Sequence, residues 1–119
     1  MKIKERVSGD VVILDISGKI MGGPPDSQEF KDTIYKYLEK GINKVVVNLA
    51  DVKRMNSSGL GILIQGLTSL RSKNGDMKLA GINETMEGIL VMTKLNTIFE
   101  TYGTAEGAAQ SFSRASSRR

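Results

Sequence analysis

Apolar residues recur along this chain with two spacings, and the switches between them divide it into strands and helices. The β-branched runs Val11-Val12-Ile13-Leu14 and Val45-Val46-Val47 read as strands buried inside a sheet, whereas Lys2 to Val7 alternates only weakly and suits an edge. Residues 3–7 and 11–17 flank the polar turn Ser8-Gly9-Asp10, which predicts an opening hairpin. Lys19-Ile20-Met21-Gly22-Gly23-Pro24-Pro25 then reads as a rigid glycine-rich loop. Beyond it, Asp26 and Glu29 have the spacing of a capping box, Phe30, Ile34, Tyr37 and Leu38 share one helical face, and Gly41 suits a C-cap.

The second half repeats the pattern. A strand over 44–49 gives way to a polar turn, and the turn opens into a helix over 58–73 with Leu60, Leu63, Ile64, Leu67 and Leu70 as its buried stripe. Gly66 allows that helix to approach the sheet closely. Asn74-Gly75 ends it, and Met77 to Gly81 reads as a further strand. Two strand–helix–strand crossovers imply parallel pairing with right-handed connections. From Asn83, an N-cap, a short helix runs to about Met92 with Met86, Ile89, Leu90 and Leu95 inward. Thr97-Ile98-Phe99 is expected as a last edge strand, and Thr104 to Phe112 as a final helix weakened by Gly107. The order is β, β, α, β, α, β, α, β, α.

Composition narrows what such a fold can do. A length of 119 residues, 39% hydrophobic and 25% charged, suits one domain with a single core, placed here at 1–112. The net charge of +4 invites a nucleic-acid reading, but Arg114, Arg118 and Arg119 lie in the terminal stretch 113–119, expected as a disordered tail. Without those three, 14 basic side chains face 13 acidic ones, and six aromatic residues give no stacking platform, so direct nucleic-acid binding is not expected. No apolar run approaches the ~20 residues that span a bilayer, and Met1 to Glu5 does not open a signal peptide, so no membrane partner is expected and the default compartment is the cytoplasm.

Catalysis is disfavoured by what is missing. The chain has neither cysteine nor histidine, which removes thiol chemistry, the commonest general base and the commonest metal ligand. Asp10, Asp15, Asp26, Asp32, Asp51 and Asp76 show no metal-ligand spacing, and Ser57 is not in a nucleophile elbow. Gly22-Gly23 lacks the Walker spacing and lysine. No enzyme, cofactor or metal is expected. The chemistry that remains centres on the turn before the central helix. Asn56 and Ser57 both suit an N-cap, while Gly59 and Gly61 weaken a helix by about 1 kcal/mol each against Ala, which points to close approach of another surface. A hydroxyl there is also well placed to carry a phosphate, because unpaired amides and the helix dipole favour negative charge.

Val45 to Leu49, Asp51, Met55 and Ser57-Ser58-Gly59-Leu60-Gly61 resemble the central motif of the STAS family, the bacterial anti-sigma factor antagonists. The order of elements is similar across residues 2–112. The resemblance implies an α/β fold with a mixed four- or five-stranded sheet, an N-terminal hairpin and about four helices. It also implies that Ser57 is phosphorylated by a partner anti-sigma factor that is itself a serine kinase, with a serine phosphatase as a second partner. The glycine-rich loop lies beside the serine turn in this family, so the implied partner surface comprises Met21, Gly22, Gly23, Asn56, Ser57, Ser58, Gly59 and Leu60. Unmodified Ser57 would permit binding and free a sigma factor, and the phosphate would block it. Two positions depart from the family's pattern: Asn56 replaces the usual aspartate before the serine, and Met21 an acidic residue. A second role seen among such domains is that of an unphosphorylated adaptor or scaffold in a larger regulatory assembly.

Overall fold

A computed structural model describes the backbone of residues 1–117 and the side chains of residues 1–113. Five strands, β1 (Lys2–Ser8), β2 (Val11–Ile20), β3 (Lys44–Met55), β4 (Asp76–Ala80) and β5 (Glu100–Tyr102), form one sheet in the order β1-β2-β3-β4-β5. β1 and β2 pair antiparallel as the opening hairpin, and every later pair is parallel. The helices are α1 (Pro24–Glu39), α2 (Ser57–Arg71), α3 (Glu84–Met92) and α4 (Ala105–Ser117).

Strand alternation sends β2 and β3 side chains into two cores. Val12, Leu14, Val45, Val47 and Leu49 pack with Phe30 and Ile34 of α1, Leu60, Leu63 and Leu67 of α2, and Met86 and Leu90 of α3. Val11, Ile13 and Val46 face the other way and are covered by Ala105, Ala108 and Phe112 of α4. Both faces of the central strands are therefore dry, which explains why their sequences are apolar without a break. The parallel crossovers carry α1, α2 and α3 over one face, and α4 packs on the other.

Several boundaries differ from the sequence expectation. α1 begins two residues before Asp26, because Pro24 and Pro25 occupy its first two positions, where a missing N–H is harmless, and Gly23 (φ 100°) is the N-cap; the capping box of Asp26 and Glu29 does not form. At the other end Gly41 (φ 83°) closes a Schellman motif, with Ile42 N–H donating to Tyr37 O and Gly41 N–H to Leu38 O. Thr97 to Phe99 is not a strand. Leu95–Thr97 is a 3₁₀ turn entered through Lys94 in the left-handed region, Phe99 is buried, and the edge strand starts at Glu100. α4 continues to Ser117, so helical backbone occupies 113–117 of the expected tail, and Arg118 and Arg119 lie outside the described residues.

The largest difference concerns β2 and β3, both longer than their apolar runs. β4 accompanies β3 only to Asn48↔Ala80, and β1 accompanies β2 only as far as Lys2↔Ser17. Past those rungs β2 and β3 continue together through Gly18↔Val52 and Lys19↔Arg54 to Ile20↔Met55, as a two-stranded ribbon interrupted by register shifts. That ribbon delivers the chain to the start of both α1 and α2.

Candidate functional site

At the tip of the ribbon Asn56 adopts an extended backbone, and its Oδ1 accepts a hydrogen bond of 2.8 Å from Gly59 N–H. Asn56 is thus the N-cap, which leaves Ser57 as the first helical residue and Ser58 as the second. Both serine side chains are exposed and, among the described residues, neither hydroxyl has a hydrogen-bond partner. The first turn of α2 holds no acidic residue. An exposed hydroxyl therefore sits where the helix dipole favours an anion.

Two glycines bring the second loop against this turn. A β-carbon at Gly59 would overlap the Ile20 carbonyl oxygen, so only glycine lets α2 start this close to the end of β2. Gly22 (φ 84°) lies over Ser58, where its own β-carbon would stand 2.6 Å from that of the serine. Met21 and Gly23 beside it are exposed. Met21, Gly22, Gly23, Asn56, Ser57 and Ser58 are therefore brought together on one surface at the C-terminal end of the parallel strands.

Leu60, expected both in the buried stripe and on the partner surface, is only 2% exposed. Its side chain belongs to the core and anchors the helix from below. Gly59 is likewise buried, and its part is to permit the close packing. Gly61 was expected to mark a close approach, yet nothing lies within 4 Å of where its β-carbon would be. Gly66 does mark one: a β-carbon there would meet Phe30 Cε2 at 2.6 Å and Met77 Cε at 2.7 Å, so α2 lies tightly on both α1 and β4.

Lys53 and Arg54 are visible in the sequence as positive charges near the serine turn, but the ribbon that sets Lys19 opposite Arg54 is not. Ile20 and Met55 are buried on the helix side, so the adjacent rung turns Lys19 and Arg54 to the opposite face, beyond the strand residues that α4 covers. Lys19, Lys53 and Arg54 are exposed, and among the described residues none forms an ion pair. Exposed Asp51, opposite Ser17, and half-buried Asp26 are the acids of these two segments. The signal available in sequence was the apolar pair Val52 and Met55, whose spacing of three reflects the register shift.

Below the ribbon a polar network steadies β2 and β3. Arg6 Nε donates to Asp15 Oδ2 at 2.7 Å, Asn48 Nδ2 donates to Asp15 Oδ1 at 2.8 Å, and Ala50 N–H donates to Asn48 Oδ1 at 3.2 Å. Burial pushes the Asp15 carboxyl up, but the hydrogen bonds from Arg6 and Asn48 outweigh it and hold the group below its ordinary range. Among the described residues no cluster of three or more His, Cys, Asp or Glu could hold a metal ion, and no helix is long and apolar enough to cross a membrane.

The sequence pattern of the STAS domain matches residues 2–108, and the chain belongs to that family. A Thermotoga maritima protein named as a candidate anti-sigma factor antagonist is 31% identical over 110 residues, which cover 92% of this chain and 96% of that protein. A crystal structure of a candidate anti-sigma factor antagonist from the same organism superposes with a TM-score of 0.80 at 30% identity, covering 92% of both chains. The anti-sigma factor antagonist SpoIIAA, solved unphosphorylated, shares the fold with a TM-score of 0.72 at 16% identity, over 95% of this chain and 98% of its own. SpoIIAA of Bacillus has also been solved in a phosphorylated form, which matches with a TM-score of 0.73 at 18% identity over 93% and 99% of the two chains.

Proposed function

We propose that this chain is a phosphorylation-controlled anti-sigma factor antagonist. Unmodified, it binds an anti-sigma factor that is also a serine kinase and so releases a sigma factor; phosphorylation of Ser57 by that kinase ends the contact, and a serine phosphatase restores it. The compartment proposed for this cycle is the cytoplasm. The observation that carries the proposal is Ser57 itself: exposed, without a hydrogen-bond partner among the described residues, and first in a helix with no acid in its opening turn. The phosphorylated form of SpoIIAA, a protein of the same fold, supports the same use of the fold here.

Physically the switch needs no unfolding. A phosphate adds about −1.5 to −2 charges and three acceptor oxygens, and at a helix N-terminus the domain tolerates them. A docked partner does not, because a dianion pressed into a closed interface is desolvated without compensation. Met21, 37% exposed on the adjoining loop, supplies an apolar contact, and Gly22 and Gly23 let a partner backbone come close.

The test is incubation with the cognate kinase and ATP, followed by mapping of the phosphate by mass spectrometry. Modification at Ser57 is expected, with Ser57→Ala unmodified and still binding the kinase, and Ser57→Asp binding it more weakly. Modification elsewhere, or none, removes the switch. Equal, tight binding by both variants within a stable assembly would favour the scaffold role instead.

A further inference from the structure

Lys19 and Arg54 stand directly opposite each other on adjacent strands, both exposed and both without a counter-ion among the described residues. Neighbouring strands lie about 5 Å apart, so like charges on one rung repel and weaken the pair. Lys53, exposed at the register shift between them, adds a third positive charge, against a single exposed acid on this stretch of β3, Asp51. In the rest of the sheet, by contrast, Lys44 meets Asp10 at 2.6 Å and Arg6 meets both Asp15 and Glu106. A local conflict of this kind, in a segment that ends at Asn56 and Ser57, marks a surface shaped for something other than stability.

We infer that the outward face of the ribbon, Lys19, Lys53 and Arg54, is the landing site of an acidic segment on the protein partner. The inference rests on the partner reading of the serine turn and adds the partner's chemistry to it. Carboxylates seated between Lys19 and Arg54 would relieve the repulsion on binding, so the contact is electrostatically complementary only in the complex. It also gives the Ser57 phosphate a second means of action. Two negative charges at the end of the ribbon cancel most of the attraction and repel the acidic segment, on top of the desolvation penalty.

The experiment titrates the full chain, Lys19→Gln, Arg54→Gln and the double variant with the cognate anti-sigma factor kinase at 50 and 300 mM salt, alongside thermal melts. Wild type is expected to lose affinity steeply with salt, each single variant to bind about 3- to 10-fold more weakly at low salt, and the double variant to show a flattened salt dependence. Melting temperatures are expected unchanged or higher, because removing one cation relieves the rung. That split of weaker binding without lost stability is what a merely structural role would not produce. A double variant that binds like wild type at both salt concentrations overturns the inference.

If wild type does not bind the kinase, the proposed function fails, and the ribbon is read instead by amide chemical shifts on adding a hexaglutamate peptide or a duplex oligonucleotide. Shifts centred on Lys19 and Arg54 with the peptide sustain the acidic-protein assignment. No shifts there, or a preference for the oligonucleotide, overturn it.

Discussion

The body of the sheet and the ribbon that projects from it are made of the same two strands yet obey different rules. In the body, Val12, Leu14, Val45 and Val47 are fully buried, both faces are covered, and Arg6 and Lys44 meet opposite charges. In the ribbon only one face is packed, through Ile20, Val52 and Met55, while the other carries like charges on one rung. Stability is concentrated in the body. The ribbon spends some of it to hold two loops and a serine where a partner can reach them, in keeping with recognition residues carried on loops set by a rigid scaffold.

The sharpest way to break this comparison is to strike the body at Leu63, which is fully buried in the helix-side core. Leu63→Ala is expected to destabilise the fold by about 3 kcal/mol, measured by urea unfolding, with the exposed serine turn intact in whatever remains folded. Gly59→Ala strikes the junction instead. Its new methyl group would overlap the Ile20 carbonyl oxygen, so α2 must shift from the end of β2, with an expected loss of about 1 to 3 kcal/mol. It should also weaken partner binding beyond that loss, because the glycine loop and the serines separate. Partner affinity that fell no further than the lost folded fraction would show that the two loops act independently.

A smaller effect tests the charge pairing of the body through pH. The Lys36 hydrogen bond, then that from Tyr37, holds the Glu5 carboxyl below its ordinary range, and Asp15 is lowered as described above. Groups with lowered folded values contribute stability above their unfolded values, and that contribution disappears as pH falls through the folded ones, here below about 4. Tyr37 shifts the other way: its hydrogen bond to Glu5 and its burial push it up to about 12, so its contribution is complete below the usual tyrosine range and lost as pH rises through that value. Melting temperatures across pH 3 to 7 are expected to fall on acidification in wild type and to fall less in Glu5→Gln. Identical profiles would remove Glu5 from the account.

The contrast between body and ribbon also decides what could be read from the sequence. Element order, the hairpin, the parallel crossovers and most of the buried stripe of α2 were legible because burial writes itself as apolar periodicity, although Ile62 is buried where the stripe had Ile64, which is only half-buried. Asn83 was legible as a cap, and Asn56 as one of two candidates beside Ser57, because such side chains do local work, each asparagine accepting an amide hydrogen bond at 2.8 Å. The ribbon was not, since Asp51, Lys53 and Arg54 look like a polar turn and the register shifts destroy alternation. The start of α1 was hidden for a related reason: Pro24 and Pro25, usually read as loop, are its first helical residues. At the site, the place of Ser57 at the head of α2 could be read from its neighbours but its exposure could not. Leu60 shows the converse, since membership of the apolar stripe already placed it inside.

The most direct measurement compares the affinity of the cognate anti-sigma factor kinase for the unmodified chain and for the same chain phosphorylated at Ser57. The expected result is a loss of affinity by roughly 5- to 150-fold, the range of an ordinary coupling free energy, with the fold unchanged by circular dichroism. Equal affinities for the two forms would contradict the claim that the charge on this one hydroxyl governs the contact.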